Sequence, residues 1–163
     1  MAGTTTPPIR VGIAEYELST DGRPLVTNGV GSCGVIVLHD DTAAISGMLH
    51  FMLPGRESPS PADPDAKFAD RGLEALLSAF ESHGGRRRRA WSKLAGGARM
   101  FEFDSFDVPI GEQNVAAARE RLESRNVSIQ ASDVGGTEGR QVTFEPDSGE
   151  MIVRTATGEV RRL

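Results

Sequence analysis

Two apolar runs, Cys33 to Leu38 and Ala43 to Met52, are separated only by His39-Asp40-Asp41-Thr42. They are rich in β-branched or apolar residues and do not alternate with polar ones, which is the pattern of a β-hairpin buried on both faces. Such a hairpin has to be central to the fold. The chain around it has 163 residues, the size of one domain, and enough length to bury a core without a disulfide or metal staple. Its single cysteine, Cys33, excludes an internal disulfide and any zinc site built on two or more thiolates, and it fits a reducing, cytoplasmic location. The first residues carry no basic-then-apolar leader, and the longest apolar stretch, Ala43 to Leu53, is broken by Ser46 and His50 and is too short to cross a bilayer.

The flanking segments predict an α+β, layered α/β sandwich, mostly antiparallel, with two main helices. Residues 1 to 8 read as a disordered lead-in and 9 to 163 as the domain. Ile9 to Leu18 and Pro24 to Thr27 are strand-like, and Asn28 to Ser32 is a glycine-rich connection. Pro54 to Pro64, with four prolines, is a loop of a length suited to covering a site. Asp63 and Pro64 then form the expected N-cap and first position of a helix that ends at Gly84-Gly85. His83, in the last turn of that helix, interacts with its dipole rather than serving catalysis. Gly96 and Gly97 precede a strand from Ala98 to Phe103, and a second helix runs from about Glu112 to Ser124. Ser128 to Ser132, Gly139 to Glu145 and Met151 to Thr155 are short strands, the last two joined by a turn at Asp147-Ser148-Gly149.

Charge narrows the function. With 18 basic and 23 acidic residues the net charge is −5, which argues against a nucleic-acid partner. The run Arg86 to Arg89, followed by Trp91 and Lys93, reads as a solvated loop leaving the helix. The match of Gly29 to Gly34 to a dinucleotide fingerprint fails on context, because Val35-Ile36-Val37 favours a strand where that motif needs a helix.

The chemistry lies in the hairpin. A turn centred between Asp40 and Asp41 places Cys33 opposite Met48, and one centred between Asp41 and Thr42 places it opposite His50. Shifts of register by two preserve the face, so Cys33 and His50 share a side in either case. An imidazolium stabilises a thiolate nucleophile, and histidine then protonates the leaving group. Gly31, Ser32 and Gly34 permit close substrate approach with backbone N–H groups beside Cys33 as oxyanion donors. Thr27 is the candidate for holding the imidazole, provided the glycine connection folds back. The competing reading is a buried structural cysteine and a satisfied core histidine.

Six blocks in order carry a resemblance. They are Thr27 with Gly31-Ser32-Cys33, Gly47 to Pro54, Lys67 to Asp70, Gly96 to Phe101, Ile110 to Val115, and Asp133 to Gly136 with Gly139-Arg140. Together they resemble the CheD family of chemoreceptor glutamine deamidases over about residues 9 to 155. The resemblance implies a layered α/β sandwich and a Cys-His-Thr site, with Cys33 as nucleophile, His50 as general base and acid, and Thr27 as orienting residue. It implies hydrolysis of glutamine side chains on chemoreceptor cytoplasmic helices, without a cofactor or metal, and a CheC-type phosphatase as partner. Asn28, Gly34 and Ala95 depart from residues more common in that family. The alternative is a non-catalytic chemotaxis adaptor that binds receptors or a CheC-type phosphatase, with Cys33 in its core; a redox-sensing thiol is a weaker option.

Overall fold

The computed structural model describes residues 7–55, 62–100 and 108–163. Its elements in chain order are β1 (Ile9–Arg10), β2 (Glu15–Ser19), β3 (Leu25–Val30), β4 (Gly34–Asp40), β5 (Ile45–Phe51), α1 (Ala69–Ser82), β6 (Trp91–Gly96), α2 (Ile110–Ser124), β7 (Ser128–Val134), β8 (Arg140–Glu145), β9 (Glu150–Thr155) and β10 (Val160–Arg162). They form two five-stranded sheets, ordered β1-β3-β8-β9-β10 and β2-β5-β4-β6-β7. Every ladder is antiparallel except β1 with β3 and β6 with β7. None of the described helices is long and apolar enough to cross a membrane.

The β4–β5 hairpin lies in the middle layer, and every residue of both strands is buried. Ile36, Leu38, Ile45, Leu49 and Phe51 pack with Leu73, Leu76, Leu77 and Phe80 of α1 and with Ala118 and Leu122 of α2. On the opposite face Val35, Val37 and Met48 pack with Leu25, Val142, Phe144 and Val153 of the other sheet. Alternate side chains of one strand pair therefore face two different cores, which is why the pair reads as continuously apolar. The layers run helices, sheet, sheet.

The hairpin register differs from both expected ones. Val35 pairs with His50 and Gly34 with Phe51, around a turn of Asp41 to Ala44. The cause is Asp40, which is fully buried and remains in the strand opposite Ile45. Its Oδ1 accepts the Thr42 and Ala43 N–H groups at 3.0 and 3.1 Å, and its carboxylate also accepts the Arg86 N–H and the Arg89 guanidinium. Burial raises the pKa of this carboxyl, but the bonds from Arg89, Arg86 and Ala43 outweigh it and hold the group below its ordinary value. Arg86, Arg88 and Arg89 are exposed as expected, but the Arg89 guanidinium is also an anchor for the turn.

Other expected boundaries also move. The segment Ile9 to Leu18 is two strands in different sheets, separated by Ala14 in a left-handed conformation. Helix α1 starts at Ala69 rather than at Pro64, because residues 65–67 form a 3₁₀ turn and Phe68 is extended. Phe68 bridges to Leu53, and the Met52 and Leu53 N–H groups donate to the Lys67 carbonyl at 2.8 and 3.0 Å. Tertiary pairing thereby overrides the local Asp63-Pro64 cap. Gly96 and Gly97 end a strand, β6, rather than precede one; of the expected Ala98 to Phe103 strand, residues 98–100 lie outside any strand and 101–103 lie outside the described residues. Trp91 and Lys93 belong to β6, where the Lys93 ammonium donates to the Gly149 and Leu163 carbonyls at 2.6 and 2.8 Å. The expected lead-in up to residue 6 and residues 56–61 of the proline-rich loop also lie outside the described residues.

Candidate active site

Three elements converge where the chain passes from one sheet to the other. Strand β3 leaves its ladder at a bulge between Thr27 and Val30, with Gly29 in a positive-φ conformation, and residues 31–33 carry the chain across to β4 in the other sheet. Cys33 sits at that crossing, directly before β4, and is half-buried. In the ladder His50 pairs with Val35, two residues after Cys33, so the expected direct opposition of Cys33 and His50 does not occur.

Thr27 and His50 meet across the two sheets. Thr27 Oγ1 lies 2.7 Å from His50 Nδ1 and donates to the Val11 carbonyl at 2.7 Å. A hydroxyl has one hydrogen, and it is committed to Val11, so the short contact with Nδ1 requires the imidazole to donate there. His50 is thereby assigned the Nδ1–H tautomer, and Nε2 presents a lone pair. Among the described residues Nε2 has no hydrogen-bond partner, the Cys33 thiol included, although His50 is fully buried. Val11 is the member of this relay that the sequence did not reveal.

The electrostatics favour a neutral pair in the free protein. Burial pushes the His50 pKa from the ordinary 6.5 down to about 4. Burial also pushes the Cys33 thiol up, opposed by the N–H of its own backbone. The expected imidazolium beside a thiolate is therefore disfavoured in the free protein.

The segment from Gly31 to Cys33 is held from behind. The Gly97 N–H donates to the Cys33 carbonyl at 2.8 Å, the Ala98 N–H to the Gly31 carbonyl at 3.0 Å, and Asn114 Nδ2 to the Ser32 carbonyl at 2.8 Å. At Gly96, φ is +105° and a Cβ would lie 2.3 Å from the Cys33 carbonyl oxygen, so only glycine fits there. Behind Gly96 stands a cluster that sequence reasoning did not find. Arg140 donates to Asp133 at 3.1 Å, to the Gly135 carbonyl at 2.8 Å and to the Gly96 carbonyl at 3.4 Å, while Arg161 also pairs with Asp133. The glycine-rich loop 135–136 is thus tied to Gly96, beside the candidate site. The signal was present in Asp133 and Arg140 flanking that loop, but ion pairing between them is a tertiary fact.

A second relay deserves separation from this one. His39 lies 2.7 Å from Ser46 Oγ and 2.8 Å from Asp41 Oδ1, a Ser-His-Asp arrangement. Its Ser46 is fully buried while Asp41 is exposed, the reverse of what substrate access needs. His83 caps the end of α1, with Nδ1 2.8 Å from the Ala79 carbonyl, remote from Cys33 in the fold. Among the described residues no group of three or more His, Cys, Asp or Glu side chains is arranged to hold a metal.

Comparison with known proteins places this chain in a family. The family model described as CheD chemotactic sensory transduction matches residues 52–155, beyond Thr27, Cys33 and His50. A Syntrophomonas wolfei protein named probable chemoreceptor glutamine deamidase CheD is 38% identical over 149 residues, covering 90% of this chain and 92% of its own. A Haloarcula marismortui protein of the same name is 40% identical over 152 residues, covering 91% of this chain and 85% of its own. One from Halalkalibacterium halodurans, named chemoreceptor glutamine deamidase CheD, is 38% identical over 150 residues, covering 90% of this chain and 93% of its own. A match over most of the length of each partner, on a layered α+β fold that carries the expected blocks in order, has one meaning: this chain belongs to the CheD family.

Proposed function

We propose that this protein is a glutamine deamidase acting on the cytoplasmic helices of chemoreceptors, with Cys33 as nucleophile, His50 as general base and acid, and Thr27 as the residue that orients His50. The observation that carries the reading is the His50 tautomer: Nδ1–H is spent on Thr27, which leaves the Nε2 lone pair without a partner among the described residues. The names of the curated relatives supply the substrate class.

The reaction follows from those parts. Cys33 Sγ attacks the glutamine side-chain carbonyl carbon as its proton passes to His50 Nε2, forming a tetrahedral oxyanion. His50 returns that proton to the amide nitrogen, the C–N bond breaks, and ammonia leaves a thioester on Cys33. A water then attacks the thioester carbonyl, giving a proton to His50, and collapse releases glutamate and the thiol. Neither a metal nor a redox partner enters this balance. Each turnover puts a carboxylate where a neutral amide stood, which alters repulsion between receptor helices and shifts a signalling equilibrium. The enzyme works in the cytoplasm, and a CheC-type phosphatase is its second partner.

The test is incubation of wild type and Cys33→Ala with a chemoreceptor signalling domain, followed by peptide mass analysis. Gln-to-Glu conversion that vanishes in Cys33→Ala is the expected result. If the folded wild type binds the receptor without converting it, the adaptor reading replaces this one.

A further inference from the structure

We infer that Asn114 is a positioning residue for catalysis: it holds the Ser32–Cys33 peptide so that the Cys33 N–H is presented to the oxyanion that develops on the substrate carbonyl oxygen when Cys33 Sγ adds to its carbon. The inference rests on Cys33 being the nucleophile.

Asn114 lies in α2, one turn from its start, and is wholly buried. The sequence places it on a helix of the outer layer, with nothing to connect it to a hairpin some 80 residues earlier in the chain. Its Nδ2 donates to the Ser32 carbonyl at 2.8 Å and to the Met52 carbonyl at 3.0 Å. Both partners are pure acceptors, so the amide orientation is unambiguous and both of its hydrogens are used. Its Oδ1 has no partner among the described residues, so the described bonding of this side chain goes entirely to those two carbonyls.

The position of the two carbonyls matters. Ser32 directly precedes Cys33, and Met52 comes two residues after His50. The last rung of the β4–β5 ladder is Gly34 with Phe51. One buried amide therefore bridges the two strands just past the end of their ladder, where one strand is about to deliver the nucleophile and the other has just delivered the base.

The orientation matters as well. The peptide bonds are trans, and in a trans peptide the C=O of one residue and the N–H of the next point in opposite directions. Drawing the Ser32 carbonyl toward Asn114 therefore turns the Cys33 N–H away from α2. That N–H belongs to the same residue as Sγ, so it is the backbone donor nearest along the chain to the carbon that Sγ attacks. Donors aimed in advance at developing charge are the arrangement that accelerates acyl transfer. Gly111 allows the approach, since a Cβ there would lie 2.6 Å from the Gly97 and Ala98 carbonyl oxygens.

The test compares two reactions of the same thiol. Alkylation by iodoacetamide is displacement at a saturated carbon and builds no oxyanion, whereas deamidation does. In Asn114→Ala, kcat for deamidation of the receptor domain is expected to fall about 30- to 100-fold, with KM changed by less than about twofold. The alkylation rate at its high-pH plateau is expected to stay within about threefold of wild type, whereas general loosening of the site would lower both reactions together. An unchanged kcat, or a parallel fall in both reactions, overturns the inference. Cys33→Ala is run alongside: if it retains activity, the nucleophile assignment itself fails, whereas an inactive Cys33→Ala with a fully active Asn114→Ala removes only the role of Asn114. Should Asn114→Ala not fold, ¹⁵N-cysteine labelling of the wild type yields one amide resonance, that of Cys33. A receptor peptide with an aldehyde in place of the glutamine carboxamide is expected to shift that resonance downfield, and an unmoved resonance overturns the inference.

Discussion

The β4–β5 hairpin carries a buried histidine at each end, and the two differ in what their second ring nitrogen does. His39 bonds through both nitrogens, to Ser46 and Asp41, and stacks against Trp91 and Phe144 with ring centroids 5.1 and 5.5 Å apart. His50 bonds through Nδ1 alone and keeps Nε2 unpaired among the described residues, beside the only cysteine in the chain. At the same end of the hairpin Arg89 donates to the buried Asp40 carboxylate. A buried polar atom left without a partner costs about 1–3 kcal/mol, so the two ends were settled by different demands. The satisfied end holds the turn together, and the unsatisfied end carries the lone pair that the proposed mechanism uses.

The sharpest way to break that comparison is to remove each histidine in turn. His50→Ala is expected to lower kcat for deamidation by about 10²–10⁴-fold with little loss of stability. His39→Ala is expected to do the reverse, leaving kcat within about threefold while costing about 1–3 kcal/mol, since the Ser46 hydroxyl is stranded in the core. Urea unfolding and steady-state kinetics on both variants decide it; a stable but inactive His39→Ala would dissolve the distinction.

A smaller effect is expected at Thr27. Thr27→Val keeps the volume but removes the acceptor that holds the Nδ1–H tautomer, so the ring can turn its lone pair the wrong way. A fall in kcat of about tenfold to a hundredfold with an unchanged KM is expected, and wild-type kcat in this variant would show that Val11 and Thr27 do not govern the ring.

His50 also governs pH-dependent stability. His50 is held at about 4 in the folded protein against an ordinary value of 6.5. Between those values the unfolded chain binds a proton that the folded chain refuses, so acidification favours unfolding. Above pH 6.5 His50 contributes nothing to the slope; from there to about pH 4 it costs on the order of 1.4 kcal/mol per unit. In His50→Gln that share of the slope should vanish from urea midpoints measured between pH 7 and 4.5, whereas an identical slope would mean that His50 is already protonated or solvated in the native state.

Much of this was legible in the chain. The two unbroken apolar runs announced a middle-layer hairpin, since only strands covered on both faces can afford no polar side. Helices α1 and α2 were visible in the spacing of Leu73, Leu76, Leu77 and Phe80 and of Ala118 and Leu122. Strand β6 was not visible, because Trp-Ser-Lys-Leu-Ala-Gly is weakly apolar and follows four arginines; it is a strand because β4 and β7 pair with it on either side. The start of α1 was misplaced for the same kind of reason, with Leu53 claiming Phe68 as a bridge partner.

The site divides along the same line. Residue identity and the two-residue period of a strand were enough to single out Cys33 and His50 as a pair expected on one face, because parity survives any slip of register by two. The register itself depended on Asp40, whose bonds to the turn amides and to Arg86 and Arg89 lengthen the turn to four residues. The tautomer of His50 depended on Val11, and the direction of the Ser32–Cys33 peptide on Asn114, which are partners 16 residues from Thr27 and 82 from Ser32. Side-chain type and local period belong to the sequence. The hydrogen-bond partners that select one register, one tautomer and one peptide orientation come from segments distant in the chain, and only their packing into three layers brings them within 3 Å.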